Sequence, residues 1–161
     1  MNKFFLIVLM FFSTFSLALS TDAEQPIEIE ADSVVVDELL GFNEFTGNAE
    51  VRQGSLLMTA QLIQVQTNTD GVETMLARGT KKTPAKYSQN QENQARFIEA
   101  TATLITYDVN KGMIFLEGDA HLIQGFDSFS GEKLNYDINN DKVIVKGSED
   151  GTKRVKFKIA L

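Results

Sequence analysis

The amino-acid sequence predicts an all-β protein assembled from repeated antiparallel hairpins, and three observations predict it. Hydrophobicity alternates with a period of two in one short run after another. The runs are separated by turn residues, at Leu40-Gly41, Asp70-Gly71, Asn110-Lys111-Gly112, Asn139-Asn140-Asp141 and Asp150-Gly151. The chain also writes one stretch twice: FTGNAEVRQG at residues 45–54 returns as LEGDAHLIQG at residues 116–125.

In chain order, residues 1–20 stand apart. Lys3 gives a basic start, residues 4–12 are an unbroken apolar run, and Ala18-Leu19-Ser20 offers the small residues that a signal peptidase inspects, so a cleaved secretory leader is expected. The apolar run falls short of the roughly 18 to 20 residues that a spanning helix needs. Residues 21–161 are expected to form one domain. Its first strand is IEIEAD, with Ile27, Ile29 and Ala31 on one face and Glu28, Glu30 and Asp32 on the other. NAEVRQ sets Ala49 and Val51 against Glu50 and Arg52. In SLLMTAQLIQVQT, Leu56, Met58 and Ala60 share a face that Ile63 and Val65 rejoin after a one-residue slip near Gln61, which predicts a bulge. The polar segment 81–97 is either a mobile loop or a weakly patterned hairpin, and neither Pro26 nor Pro84 interrupts a central strand.

The repeat extends well past its first words. At an offset of 71, Gly47 matches Gly118, Ala49 matches Ala120, Val51 matches Leu122, Met58 matches Phe129, Ile63 matches Leu134 and Val65 matches Tyr136. At an offset of 29, TYDVNKGMIFLEG (106–118) is echoed by NYDINNDKVIVKG (135–147). Units of this kind cannot bury an apolar face alone, so copies stack, and the sides left open at the two ends are what a further copy would cover.

Composition narrows the function classes. The chain is 43% hydrophobic and 23% charged, which is globular. Loss of the leader removes Lys3 and no acid, taking the formal charge from -7 to -8, so a nucleic-acid partner is not expected. There is no Cys, so an exported chain must hold itself together by burial. With one His, His121, and no nucleophile elbow, neither catalysis nor a metal centre is predicted, and no cofactor is expected. Lys81, Lys82 and Lys86, with Lys153, Arg154, Lys156 and Lys158, fit phosphate binding and edge-strand protection equally well. The apolar face is either an ordinary core or, if the sheets do not close fully, a long groove. Twelve Phe, five Met and no Trp suit an adaptable interior.

QPIEIEAD, FTGNAEVRQGSLLMTAQLIQV, TPAKYSQ, YDVNKGMIFLEGDAHLIQG and GEKLNYD, in this order and spacing, resemble the LptA (OstA-like) family of periplasmic lipopolysaccharide transport proteins over residues 25–157. The resemblance implies an antiparallel β-jellyroll, slightly open along one side, whose apolar interior groove holds lipid A acyl chains. It also implies head-to-tail self-association into a bridge between LptC and LptF on the inner-membrane side and LptD on the outer-membrane side. Ile27 and Ile29 match the isoleucine pair at the groove mouth, Tyr87 an aromatic lining position, and Tyr107 and Val109 interior positions of the second half. Val36, Phe45, Val51, Met58, Ile105, Phe129 and Leu134 complete the expected lipid-binding set. TKRVKFKIAL matches the last strand, with Arg154, Val155, Phe157 and Ile159 as the expected edge for a partner. The competing expectations are a structural periplasmic module with a filled core and no lipid cargo, or an anchored LptC-like member.

Overall fold

The structure, a computed structural model, describes residues 22–91 and 96–160, and the expected leader lies outside them. A short 3-10 helix, Asp22–Glu24, leads into β1 (Ile27–Glu30), β2 (Ser33–Asp37), β3 (Phe42–Gln53), β4 (Leu56–Asn68), β5 (Gly71–Arg78) and β6 (Ala85–Gln91). The second half supplies β7 (Arg96–Ala102), β8 (Leu104–Asp108), β9 (Met113–Gln124), β10 (Asp127–Asp137), β11 (Lys142–Lys146) and β12 (Lys156–Lys158). Every pairing is antiparallel and no α-helix occurs among the described residues, as the period of two predicts. Of the two expectations for segment 81–97, the hairpin is observed: β6 pairs β7, with Tyr87 opposite Ala100.

Turn chemistry sets the strand ends. Asp37 Oδ1 accepts the backbone N–H groups of Leu39 and Leu40 at 3.1 and 3.0 Å. Asp108 Oδ1 and Asp137 Oδ1 do the same for Lys111 and Asn140, each at 3.0 Å, so the echoes at offsets 71 and 29 recur as one Asx-type turn. The bulge expected near Gln61 is present. Thr46 opposes Leu62 and Ala49 opposes Ala60, which leaves Gly47 and Asn48 across from Gln61. In the second half Glu117 opposes Lys133 and Ala120 opposes Gly131, which leaves Gly118 and Asp119 across from Glu132.

The long strands change neighbours at these bends. In β4, residues 62–68 pair with β5 and residues 57–59 with β6. In β9, residues 113–117 pair with β8 and residues 121–124 with β7. The pairing therefore runs β4–β5–β8–β9–β7–β6 and back to β4. Against the expectation of a jellyroll slightly open along one side, hydrogen bonding closes six strands into a barrel-like ring. Closure is possible because β4 and β9, at 13 and 12 residues, are long enough to serve both walls. The core fills this ring. Met58, Ile63, Tyr87, Ile98, Ile105, Leu116 and Leu122 are fully buried on its strands, while Val51 of β3 and Leu134 and Tyr136 of β10 carry the same core past it; burial of an aliphatic side chain of this size stabilises by roughly 1.5–3 kcal/mol. Opposite walls meet where the rings of Tyr87 and Tyr107 pack edge to face, 5.6 Å between centroids.

Candidate functional site

The apolar core brings together most of the residues expected to line a groove. Met58, Tyr87 and Ile105 are buried on the ring strands, Phe45, Val51 and Leu134 are buried on the flanking β3 and β10, and Ile27, Ile29, Tyr107 and Phe129 are half-buried against the same core. Alternation explains their common orientation: each pairs with, or lies two residues from, another inward position, as in Ile29 opposite Val51 and Met58 opposite Tyr87. Val109 lies just beyond β8, half-buried, with its backbone N–H donated to the Glu73 carbonyl at 3.0 Å. Val36 differs, since it is 57% exposed on β2 together with Val34 and Val35.

That exposure follows from the ends of the sheet. β1 and β2 pair only with β3, and β11 and β12 only with β10, among the described residues. Val34 and Val36 occupy in β2 the places that Ile105 and Tyr107 occupy in β8, but β8 is covered by β5 and β2 has no such neighbour. The other end mirrors it. Phe157 opposes Phe129 as Tyr87 opposes Met58, yet Phe157 is 69% exposed where Tyr87 is buried. Arg154, Val155 and Ile159 flank it and are exposed as well. Lys153 ties this segment down, its Nζ lying 2.6 Å from both Asp119 Oδ1 and Glu132 Oε2 and holding the Asp119 carboxyl below the usual range.

Two polar groups sit at the margins of the interior, and the alternation pattern did not reveal them. Asp22 accepts from the Ser55 backbone N–H at 2.7 Å, the Ser55 hydroxyl at 2.6 Å and Gln89 Nε2 at 2.8 Å, while the Tyr87 hydroxyl donates to Gln89 Oε1 at 2.5 Å. Burial alone would raise the Asp22 pKa, but these donors outweigh it and the carboxyl lies below its ordinary value. Burial, then the neighbouring Tyr107 and Asp22, pushes the Tyr87 hydroxyl well above its ordinary range, and burial, then Asp22, raises that of Tyr107, so both stay protonated. The second group joins Gln124, Tyr136 and Asp141. The only trace of it in the sequence is the Gln-Gly that closes both copies of the repeat.

No group of three or more His, Cys, Asp or Glu side chains that could hold a metal occurs among the described residues, and none of their helices is long and apolar enough to cross a membrane.

Residues 28–154 match the family model described as LptA/(LptD N-terminal domain) LPS transport protein. The lipopolysaccharide export system protein LptH of Pseudomonas aeruginosa is 32% identical over 132 residues, 81% of this chain and 74% of that protein. The export system protein LptA of Escherichia coli is 30% identical over 142 residues, 87% of this chain and 74% of that protein. The crystal structure of LptH, described as a periplasmic component of the lipopolysaccharide transport device of Pseudomonas aeruginosa, superposes with a TM-score of 0.76 at 28% identity. That match covers 88% of this chain and all of the other. These are transport proteins rather than enzymes, and the chain belongs to the LptA/LptD N-terminal domain family of lipopolysaccharide transport proteins.

Proposed function

We propose that this chain is a periplasmic lipopolysaccharide carrier. Lipid A acyl chains lie against the inward residues of the ring, and the walls part into a slightly open jellyroll groove to admit them. Copies join head to tail between LptC and LptF at the inner membrane and LptD at the outer membrane. The leader at residues 1–20 would deliver the chain to that compartment.

The observation that carries this reading is the match between the unfinished ends of the chain and its finished middle. Inside the molecule β5 pairs β8 and β6 pairs β7. β11 and β12 hold beside β10 the places that β5 and β6 hold beside β4, while β2 and β1 hold beside β3 the places of β8 and β7 beside β9. One molecule's β11 and β12 thus fit the next molecule's β2 and β1, which would continue the apolar interior across the junction. Each buried methylene of cargo contributes about 0.8 kcal/mol. A continuous interior therefore lets a lipid move without surrendering that energy to water.

Photo-crosslinkers at Ile29 and Tyr107, with outward-facing Glu50 as control, test the reading. Lipopolysaccharide adducts at the first two positions and none at Glu50 are expected. If all three stay clean in folded protein with its partners present, the interior is a filled core and the chain a structural module.

A further inference from the structure

The closed middle of the molecule supplies a residue-by-residue register for its two open ends. Lys156 opposes Ser130 as Lys86 opposes Thr59, and Glu30 opposes Glu50 as Thr101 opposes His121. Thr59 and Ser130, like Glu50 and His121, are matching positions of the repeat. Since Lys86 opposes Thr101 inside the molecule, Lys156 of one copy would fall opposite Glu30 of the next. Ser88 and Glu99 carry the same transfer to Lys158 and Glu28, and Tyr87 and Ala100 carry it to Phe157 and Ile29. Along β11 and β2, Thr74 opposite Asp108 becomes Lys142 opposite Asp37, with Val143 facing Val36 and Val145 facing Val34.

Three of these meetings join opposite charges. None of the directly opposed pairs between β5 and β8 or between β6 and β7 does. The contrast has a physical reason. Strands within one chain are delivered to each other by its connections, whereas an open sheet edge can pair with any other edge. Charge is what tells one end from the other. Two copies of β12 would set lysine against lysine, and two copies of β1 would set glutamate against glutamate. Among the described residues, Glu28, Glu30, Lys142, Lys156 and Lys158 enter no ion pair, although Lys111, Lys133 and Lys153 all do. Asp37 gives Oδ1 to its turn and leaves Oδ2 out of it.

We propose that three charge pairs across the junction, Lys142 with Asp37, Lys156 with Glu30 and Lys158 with Glu28, select its head-to-tail register over both like-to-like pairings. The proposal rests on the head-to-tail reading and deepens it by naming the contacts that choose the partner end. It also states the chemistry of any other partner. A strand that docks on β1 and β2 brings basic residues to this row, and one that docks on β11 and β12 brings acidic residues.

The test reverses one pair, using Glu30→Lys and Lys156→Glu, both at exposed positions. Each is made in the full chain, with self-association read by sedimentation velocity and the fold checked by circular dichroism. Each variant alone is expected to associate about fivefold more weakly, because an attractive pair becomes a repulsive one. In an equimolar mixture the two variants can alternate, so that a basic residue meets an acidic one at every junction. The mixture is expected to recover the unmodified strength to within about twofold. Lys146 would face Ser33, so Lys146→Glu is the control and should change association less than about twofold. Should Glu30→Lys misfold, Glu28→Lys with Lys158→Glu repeats the cycle. Variants that associate like the unmodified chain, a mixture that stays weak, or an equal loss at Lys146→Glu would each overturn the register and leave the head-to-tail reading standing. If the unmodified chain stays monomeric at every concentration, that reading falls and the register with it.

Discussion

Gly47 and Gly118, 71 residues apart, adopt φ values of +80° and +78°, and their carbonyls accept the backbone N–H groups of Asp32 and Thr103 at 2.9 and 2.8 Å. The residues after them, Asn48 and Asp119, are left-handed too, at +46° and +51°. Two strands thus bend by one device, at the place where each exchanges one set of neighbours for another. A Cβ on Gly47 would meet Asp32 Oδ2 at 2.3 Å, and one on Gly118 would meet Thr103 Oγ1 at 2.7 Å.

Gly47→Ala and Gly118→Ala are therefore each expected to cost about 2 kcal/mol from backbone strain and crowding. The corresponding fall in Tm is roughly 5–10 °C, read by circular dichroism melting. Losses of similar size at the two positions are the signature of one device used twice, and a silent Gly118→Ala would contradict it.

Phe157 and Tyr87 hold equivalent places, one exposed and one buried. Phe157→Asp should leave the melt of the isolated chain within about 0.5 kcal/mol while abolishing self-association in sedimentation velocity. Tyr87→Asp, which places a carboxylate inside the core, should prevent folding.

Ile105 and Val34 form a second such pair. Ile105→Ala is expected to cost about 2–5 kcal/mol in urea unfolding. Val34→Ala should stay within about 0.5 kcal/mol in the monomer, because among the described residues β2 is paired on its β3 side alone and Val34 is half exposed. A large loss at Val34 in monomeric protein would mean that the β2 edge is already covered.

The Asp22 carboxyl lies below its ordinary value of 3.8 in the folded chain, so its contribution is present above that pH and lost as pH falls through the folded value. Amide exchange at Ser55 should therefore be slow and constant from neutral pH to about pH 4 after correction for intrinsic rates, then rise. Asp22→Ala should bring the rise to neutral pH. Exchange that is indifferent to both changes would remove Asp22 as the anchor of the N-terminal segment.

Much of this fold was legible in the sequence because its information is local. Alternation names the inward side of each strand, so Val51, Met58, Ile63 and Leu134 could be placed in the interior before any pairing was known. The slip at Gln61 marks a bulge because the period of two must be restored after it. The neighbour of each strand is not local information. Nothing in LLMTAQLIQVQTN says that β4 serves β6 with one half and β5 with the other, and ring closure went unforeseen for that reason. Val36 shows the same limit. Its inward-type pattern is correct by repeat, but burial also needs a covering strand, and in this chain β2 has none. Gln124, Tyr136 and Asp141 are separated along the chain and read singly as strand and turn residues, so their meeting follows only from the register of β9 on β10.

The unequal edges at the two ends give the molecule a polarity. β1 and β2 are preceded by the Asp22 anchor, whereas β11 and β12 carry the lysines and the tether through Lys153. An interface that mates one end with the other is heterologous, and an assembly built on it does not limit its own size unless its rotation closes a circle. The stoichiometry of the proposed head-to-tail line would then be set by whatever caps its first and last members, and its length would not be written in this chain.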